Sequence, residues 1–307
     1  MKIEQMGLIV KRDDGSEEVN YDDPAFPSYI YDGWIRPKVT WERVPHFHKD
    51  IEMCCVTEGE TAYSVNGKTL MLHKGDTIFI NSNQIHYMMS TSEQTARYII
   101  FVIDPSVLYS TVPVEMNAIR PIIDNPELTY LRYRDINEYT ERMYELMTSL
   151  PDIRHDPFKI TVRFFEIWEI ILKHSQTIGM YDTEDTTDSH MVAFKAMMHY
   201  ISDHYREGLT LDDIASSASI SRSLCNNIFH KYVNESPVNY VMHFRARKVA
   251  EYLRSTSLNM SDIAEMTGFR GVSYMSETFK RFFAMSPREF RKRWSNQGHI
   301  SPEDMEK

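Results

Sequence analysis

Cysteine is scarce in this chain of 307 residues: Cys54, Cys55 and Cys225 are the only three. They are too few and too badly spaced for a disulfide framework or a cysteine zinc site, so reduced thiols are expected. Long apolar runs are also missing. The best stretches, Tyr98 to Ile103 and Ile167 to Leu172 with Glu169 inside it, fall well short of the roughly 18 residues that cross a bilayer, which excludes a membrane-spanning helix. Near the N-terminus only Gly7 to Val10 is apolar, and Lys11, Arg12, Asp13 and Asp14 follow at once. That is no secretory signal, and the cytoplasm is the expected compartment. No P-loop, Gly-rich dinucleotide motif or Ser-His-Asp nucleophile pattern is present. What remains is 42% hydrophobic and 25% charged, the balance of a folded globular chain rather than a collagen-like or disordered one. Its length exceeds what one core usually organises, so two domains are expected.

Positive charge is short overall, with a formal net charge of −10, which at first argues against nucleic acid. The distribution reverses that. Residues 1–189 hold 18 Lys and Arg against 31 Asp and Glu, whereas residues 190–298 hold 15 against 10. Between the two parts, Ser175 to Ser189 (SQTIGMYDTEDTTDS) is polar, acidic and without periodicity, as a linker is. A surplus of five positive charges fits an ordinary solvated surface as well as a nucleic-acid interface, so motifs must decide.

The basic part repeats itself. Asp213-Ile214-Ala215 precedes Asp262-Ile263-Ala264 by 49 residues, and Ser219-Ile220 precedes Gly268-Phe269 by the same interval. The offset then becomes 50: Leu224-Cys225, Phe229, Lys231, Ser236-Pro237 and Tyr240 stand opposite Tyr274-Met275, Phe279, Arg281, Ser286-Pro287 and Phe290. Each copy has the pattern of a short helix, a tight turn and a longer helix. In the first, Thr210 caps with Asp213 in the capping-box position, Ser221 caps the second helix, and Leu224, Cys225, Ile228, Phe229 and Tyr232 form its buried stripe. In the second, Ser261 is the expected cap, Gly268 permits the turn, and Tyr274, Met275, Thr278, Phe279 and Phe282 are the expected stripe. A helix from Pro237 to Arg254 joins the copies, with Arg245, Arg247, Lys248 and Arg254 on its polar side. Another, Pro287 to Trp294, closes the chain and adds Arg288, Arg291, Lys292 and Arg293.

At Ile263-Ala264, Gly268-Phe269, Ser273-Tyr274, Phe279-Lys280-Arg281, Ser286-Pro287 and Phe290-Arg291 the sequence resembles the DNA-binding domain of AraC-type transcription regulators, over Met191 to Trp294. Ser219 and Ala284 stand where that family often has glycine, so both turns are expected to be strained or differently shaped. The resemblance implies two helix-turn-helix units that enter successive major grooves of double-stranded DNA. It places Ser223, Asn226, Asn227, Ser273 and Glu277 toward the bases, with Arg222, Arg270 and Lys280 on phosphates and Ser276 on the same outer face. For each, the plain alternative is solvated helix surface.

The acidic part reads as an all-β sandwich or barrel. Short alternating segments, Trp41 to Pro45, Met53 to Thr57, Ala62 to Val65, Lys68 to Leu72, Thr77 to Ile80 and Arg97 to Ile103, are divided by turns at Asn66-Gly67 and Gly75-Asp76. Within it lies His46-Phe47-His48-Lys49-Asp50-Ile51-Glu52, with His86 eleven residues after Gly75. On an unbulged strand His46, His48 and Glu52 share one face. The spacing resembles the first cupin motif, and His86 stands where the second motif has its histidine, although Asn81 and Asn83 replace the usual Pro and Gly. By resemblance, His46, His48, Glu52 and His86 could hold a divalent transition metal; a metal-free, hydrogen-bonded wall is the expected state, because sensor domains of AraC-type regulators often keep such histidines without a metal. Tyr29, Tyr31, Trp34, Arg36, Trp41, Tyr63 and Tyr87 are available as wall residues of a ligand pocket or equally as sandwich core; of these Trp34, Arg36, Trp41 and Tyr63 join those four as expected ligand-binding residues, and aromatic faces beside His and Glu suit a sugar or similar polyol.

Asp135 to Leu150 and Pro157 to His174 read as two amphipathic helices; their broad apolar faces fit packing on the barrel or, as the resemblance to AraC-type regulators implies, pairing of two subunits. The expected organisation is a multidomain chain: a cupin-like sensor barrel (1–134), a helical hairpin that could mediate dimerisation (135–174), a linker (175–189), an all-α double helix-turn-helix domain (190–298) and a tail (299–307). Its expected function is a sequence-specific transcription activator, not an enzyme, that answers a small-molecule effector as a homodimer and, by family resemblance, meets RNA polymerase. The alternative is a cupin metalloenzyme, an isomerase or oxygenase, with an accessory DNA-binding domain.

Overall fold

Parity along the strands sets the architecture of the first half. A computed structural model describes residues 10–11, 16–36, 45–90, 95–134, 138–177 and 189–296, and the chain divides into two compact units that meet in sequence at Ser189 and His190. In the first unit β1 (Val10–Lys11) pairs with β2 (Glu17–Glu18). β3 (Ser28–Ile35), β4 (Ile51–Glu58), β7 (Thr77–Ile80), β9 (Ala96–Ile103) and β10 (Tyr130–Tyr133) form an antiparallel sheet in the order β10-β7-β4-β9-β3, while β5 (Glu60–Val65), β6 (Lys68–His73) and β8 (His86–Ser90) form a second in the order β6-β5-β8. Successive side chains alternate between faces. Ile30, Met53, Cys55, Phe79, Ile99 and Phe101 therefore face the helices, and Ile35, Cys54, Val56, Ile78 and Ile80 face Tyr63, Val65 and Met88 of the smaller sheet. Asn66 and Gly67 turn the β5–β6 hairpin with φ of 49° and 84°, the left-handed pair that a two-residue hairpin loop needs.

Five of the described strands escaped the sequence pattern: β1, β2, β3, β8 and β10. The expected strand from Trp41 to Pro45 lies outside the described residues up to position 44, and Pro45 itself is not in a strand. Helical segments absent from the expectation follow β9: a 3-10 turn at Pro105–Leu108, α1 (Val112–Val114), a π turn at Glu115–Ile119 and α2 (Arg120–Ile123). The helical hairpin is present as α3 (Glu138–Thr148), α4 (Leu150–Ile153) and α5 (Pro157–Thr177). Met143, Leu146, Met147, Ile160, Phe164, Ile167, Trp168 and Ile171 are buried on the larger sheet, so the main apolar faces are consumed within the unit. A second stripe on α5, Phe158, Val162 and Phe165, stays exposed.

The second unit is all helical: α6 (Ser189–His204), α7 (Leu211–Ser217), α8 (Arg222–Val233), α9 (Pro237–Ser255), α10 (Met260–Met266), α11 (Val272–Phe283) and α12 (Pro287–Asn296). Thr210 and Asp213 form the full capping box of α7, Ser221 caps α8, and Ser236 with Pro237 opens α9. The cap of α10 is Asn259, which accepts from the backbone of Ser261 and Asp262, and not Ser261. Asn reaches two free N–H groups from two positions earlier. The repeat also extends to packing. Phe229 meets Tyr240 at 5.5 Å between ring centroids, and the equivalent Phe279 meets Phe290 at 5.4 Å.

The two turns differ as their residues do. Gly268 has φ 76°, and a Cβ there would come within 2.7 Å of the Arg206 backbone, so only glycine fits. Ser219 and Ala284 adopt φ of 54° and 56°, left-handed values that cost a non-glycine residue about 1 kcal/mol. Arg245 and Arg247 of α9 are buried, against expectation. The Arg245 Nε donates to the Tyr205 carbonyl at 2.6 Å, and the Arg247 guanidinium lies over the rings of Tyr240 and Phe244. Their charges brace the domain from inside.

Candidate functional site

The outer faces of α8 and α11 are one design repeated. Cys225, Ile228 and Phe229 are buried in α8, as Met275, Thr278 and Phe279 are in α11. Between them Ser223, Asn227 and His230 are exposed and Asn226 half-buried, and the equivalent Ser273, Glu277 and Lys280 are exposed with Ser276 half-buried. A helix can present such a short polar face to the edges of bases in a major groove only if its opposite face is anchored, as it is here.

Arg222 and Arg270 are exposed at the starts of these helices. In the free protein Arg222 forms a bidentate ion pair with Asp212, and the Asn226 side-chain amide donates to the Arg222 carbonyl at 3.1 Å. Tyr274, expected in the core, is 50% exposed. It extends the outer face of α11 by a large ring, and its counterpart Leu224 is only half-buried. A strict three-and-four spacing could not separate the edge of a stripe from its centre.

In the first unit, His46, His48, Glu52 and His86 come together, their potential ligand atoms all within 4.8 Å of one another. The route is not the one that strand parity suggests. His46 forms an isolated bridge with His86, His48 lies in the following loop, and β4 begins only at Ile51. Backbone bonds lace the loops together: His46 N–H to the His86 carbonyl at 3.1 Å, His86 N–H to that of His46 at 2.9 Å, and Asn83 N–H to that of His48 at 2.8 Å. Asn83 takes the position with φ 62°, one that Asn tolerates better than most residues. The other departure from the cupin pattern also has a use: the buried Asn81 amide donates at 2.8 Å to both the Ile122 and Leu128 carbonyls, tying the cluster's loop to α2.

Each inner imidazole is oriented by a backbone carbonyl. The Nδ1 of His48 lies 3.0 Å from the Asp50 oxygen and that of His86 lies 2.8 Å from the Gln84 oxygen. Donation from Nδ1 leaves each Nε2 with its lone pair toward Glu52 Oε2, at 3.4 and 3.3 Å. The Tyr63 hydroxyl donates to the other carboxylate oxygen. Two lone pairs facing a carboxylate call for a cation between them. A proton on His48 can serve, since burial lowers its pKa but the hydrogen bond and charge of Glu52 carry it above the ordinary value. Burial pushes Glu52 upward, yet His86 and His48 hold it well below the ordinary carboxylate range. The donor set also fits a divalent transition metal, whose histidine ligands are typically fixed through their second nitrogen. At the rim, His46 Nε2 lies 3.5 Å from Glu17.

Tyr63 joins this cluster; the other expected ligand residues do not. Trp34 is 42% exposed and stacks with Arg97 on the outer face of the larger sheet, because its register opposite Arg97 places it with Ile30 and Phe101. Arg36 is exposed, and Trp41 lies outside the described residues. The same register turns Tyr29 and Tyr31, both expected in the barrel wall, inward together with Tyr98, the one ring of the three that sequence reasoning missed. Tyr31 stacks on Tyr29 at 6.3 Å and meets Tyr98 at 5.8 Å. The alternation of β9 was the available signal for Tyr98. Asp50, fully buried and accepting from the Tyr21 hydroxyl at 2.8 Å, was also missed as a member of the cluster's surroundings.

A helix-turn-helix domain family matches residues 214–293, and a cupin domain family matches residues 36–103. The chain is similar to an uncharacterized helix-turn-helix-type transcriptional regulator of Bacillus subtilis (strain 168), 24% identical over 80% of this chain and 85% of that one. It is 22% identical to the melibiose operon regulatory protein of Escherichia coli (strain K12), over 87% of this chain and 91% of that one. It is also 22% identical to the lactose operon transcription activator of Staphylococcus xylosus, over 78% and 83%. These relatives are regulators, not enzymes, which leaves the metalloenzyme alternative without support. Among the described residues no helix is long and apolar enough to cross a membrane.

Proposed function

We propose that this chain, which belongs to the AraC family of helix-turn-helix transcription regulators and joins an N-terminal cupin domain to a C-terminal helix-turn-helix domain, activates transcription when a small polyol or sugar occupies its barrel. The observation that carries the DNA side is the repeated exposure pattern of α8 and α11. Ser223, Asn226, Asn227, Ser273, Ser276 and Glu277 read base edges; Arg222, Arg270 and Lys280 hold phosphates. Arg222 exchanges Asp212 for a phosphate on binding.

Two relatives are named for the melibiose and lactose operons, and one of these as an activator, which supports a sugar effector and activation; RNA polymerase is then the partner, in the cytoplasm. The effector is read by His46, His48, Glu52, Tyr63 and His86 inside the barrel, with Tyr29, Tyr31 and Tyr98 as an aromatic wall. A metal at His46, His48, Glu52 and His86 would supply a Lewis-acid anchor for an effector oxygen. Without one, Glu52 and the imidazoles bond effector hydroxyls directly. Residues 1–134 form the sensor and 190–298 the reader. The exposed Phe158, Val162 and Phe165 of the 135–174 hairpin pair two copies. Control then requires that the effector favour one arrangement of the dimer over another.

Selection of bound duplexes from a random pool by the full chain, with and without a panel of sugars, tests this reading. The expected result is an enriched operator, whose preference at particular base pairs relaxes by about 1–3 kcal/mol in Asn226→Ala. Lys280→Ala instead weakens all duplexes and lowers the salt slope by about 0.9. No enrichment over bulk DNA would refute it.

A further inference from the structure

The repeat supplies its own control for a second kind of DNA contact. Arg288, Arg291 and Lys292 lie at i, i+3 and i+4 of α12, so they share one face. With Asn259 and Met260 at the start of α10 they line an open cleft of about 540 Å³. Among the described residues none of the three is paired with a carboxylate, and the Nε and Nη2 groups of Arg291 are buried without a hydrogen-bond partner. The neighbouring Glu289 does not neutralise them, because its carboxylate accepts from the Ser286 N–H at the start of α12. The 50-residue offset places Val238, Val241 and Met242 at the equivalent positions of the first unit. There, the acidic Asp212 at the corresponding short helix is already paired with Arg222. At these positions the two units of one design differ: an apolar face in the first carries three basic residues in the second.

We infer that Arg288, Arg291 and Lys292 form a phosphate clamp, through which the second helix-turn-helix unit grips the DNA backbone more strongly than the first. The exposed Arg288 guanidinium and Lys292 ammonium offer N–H donors with no carboxylate partner, and the planar guanidinium fork matches a phosphodiester. The place suits DNA as well. α12 packs on α11 through Phe290 against Phe279 and Phe283. When a recognition helix enters the groove, the first helix of its unit crosses the adjoining backbone, which brings the α10 side of the cleft to the phosphates. The clamp reads no bases. It assigns the second unit to anchoring and leaves the first to respond more steeply to sequence. The inference rests on DNA binding as described above.

The test uses the full chain and a mixed-sequence duplex, because backbone contacts persist on non-specific DNA. Binding is followed by fluorescence anisotropy across a salt series. Arg288→Gln/Lys292→Gln, both exposed sites, should lower the slope of log affinity against log salt by roughly 2 and weaken binding by roughly ten- to thirtyfold at physiological ionic strength. Val238→Arg, which places a cation at the equivalent exposed site of the first unit, should steepen the slope by about 1. Circular dichroism melting confirms that each variant is folded. An unchanged slope in the double variant, with wild-type binding intact, overturns the clamp and leaves an acidic protein surface as the occupant. A wild-type chain that binds no duplex at all overturns DNA binding itself, a distinguishable failure.

Discussion

The barrel cluster and the outer faces of α8 and α11 use polar side chains in opposite ways. His48, Glu52 and His86 are nearly inaccessible and bonded to one another, to Tyr63 and to backbone carbonyls. Ser223, Asn227, Glu277 and Lys280 stand in water with their partners still to come. The difference teaches where function and stability coincide. A buried charged group must be satisfied within the fold, so its removal damages the fold; an exposed one is solvated already, so its removal damages recognition alone.

The sharpest way to break this contrast is to delete one charge from each side. Glu52→Ala leaves two imidazoles and the Tyr63 hydroxyl without their shared partner and should destabilise the first unit by about 3 kcal/mol. Lys280→Ala should change the second unit by no more than about 0.5 kcal/mol. Denaturant titrations that report the two units separately check both, and equal costs would abolish the distinction.

An intermediate case sharpens it. Glu235, on the loop between α8 and α9, is half-buried, and its carboxylate faces His243 at 3.3 Å and accepts from the Asn239 amide at 3.0 Å. Burial raises its pKa, but the hydrogen bond and charge of His243 bring it below the ordinary carboxylate value. A depressed folded-state pKa contributes stability that is present above the unfolded pKa and lost as pH falls through the folded one. Glu235→Gln should therefore cost roughly 1 kcal/mol at neutral pH. That gap should close as acid protonates the wild-type carboxylate, and thermal melts of both proteins from neutral to acidic pH would show whether it does. A gap that widens in acid would reverse the assignment.

The smallest expected effect compares two left-handed positions of the second helix-turn-helix unit. Ala284→Gly relieves a left-handed alanine at φ 56° while loosening the unfolded chain, for a net gain of about 0.5 kcal/mol. Gly268→Ala, facing the Arg206 backbone, must lose stability instead. Melting temperatures that move in the same direction for both would contradict the geometry.

Much of the second unit was legible because its information is local. Caps, turns and apolar stripes recur within a few residues, and duplication presents each feature twice, so the errors fall at the edges of stripes, Tyr274 and Leu224, at the cap of α10, and at the inward Arg245 and Arg247. Those two arginines carry the signature of a solvated helix face, and only the neighbouring Tyr205 and Glu207 carbonyls and the rings of Tyr240 and Phe244 make their burial tolerable. In the first unit the histidines and Glu52 could be picked out by spacing, but the reason they meet could not. Their convergence depends on bonds between the 46–50 and 81–86 loops, more than 30 residues apart.

Composition, charge asymmetry and the 49- to 50-residue repeat determined, without coordinates, that an acidic β-rich half precedes a basic pair of helix-turn-helix units. Which aromatic rings point inward was settled by strand register, since a one-residue slip would exchange Tyr31 and Tyr98 for Trp34 and Arg97. The basic cleft of α12 likewise depends on packing. A helical period states which residues share a face, and the neighbouring helix alone states what that face meets.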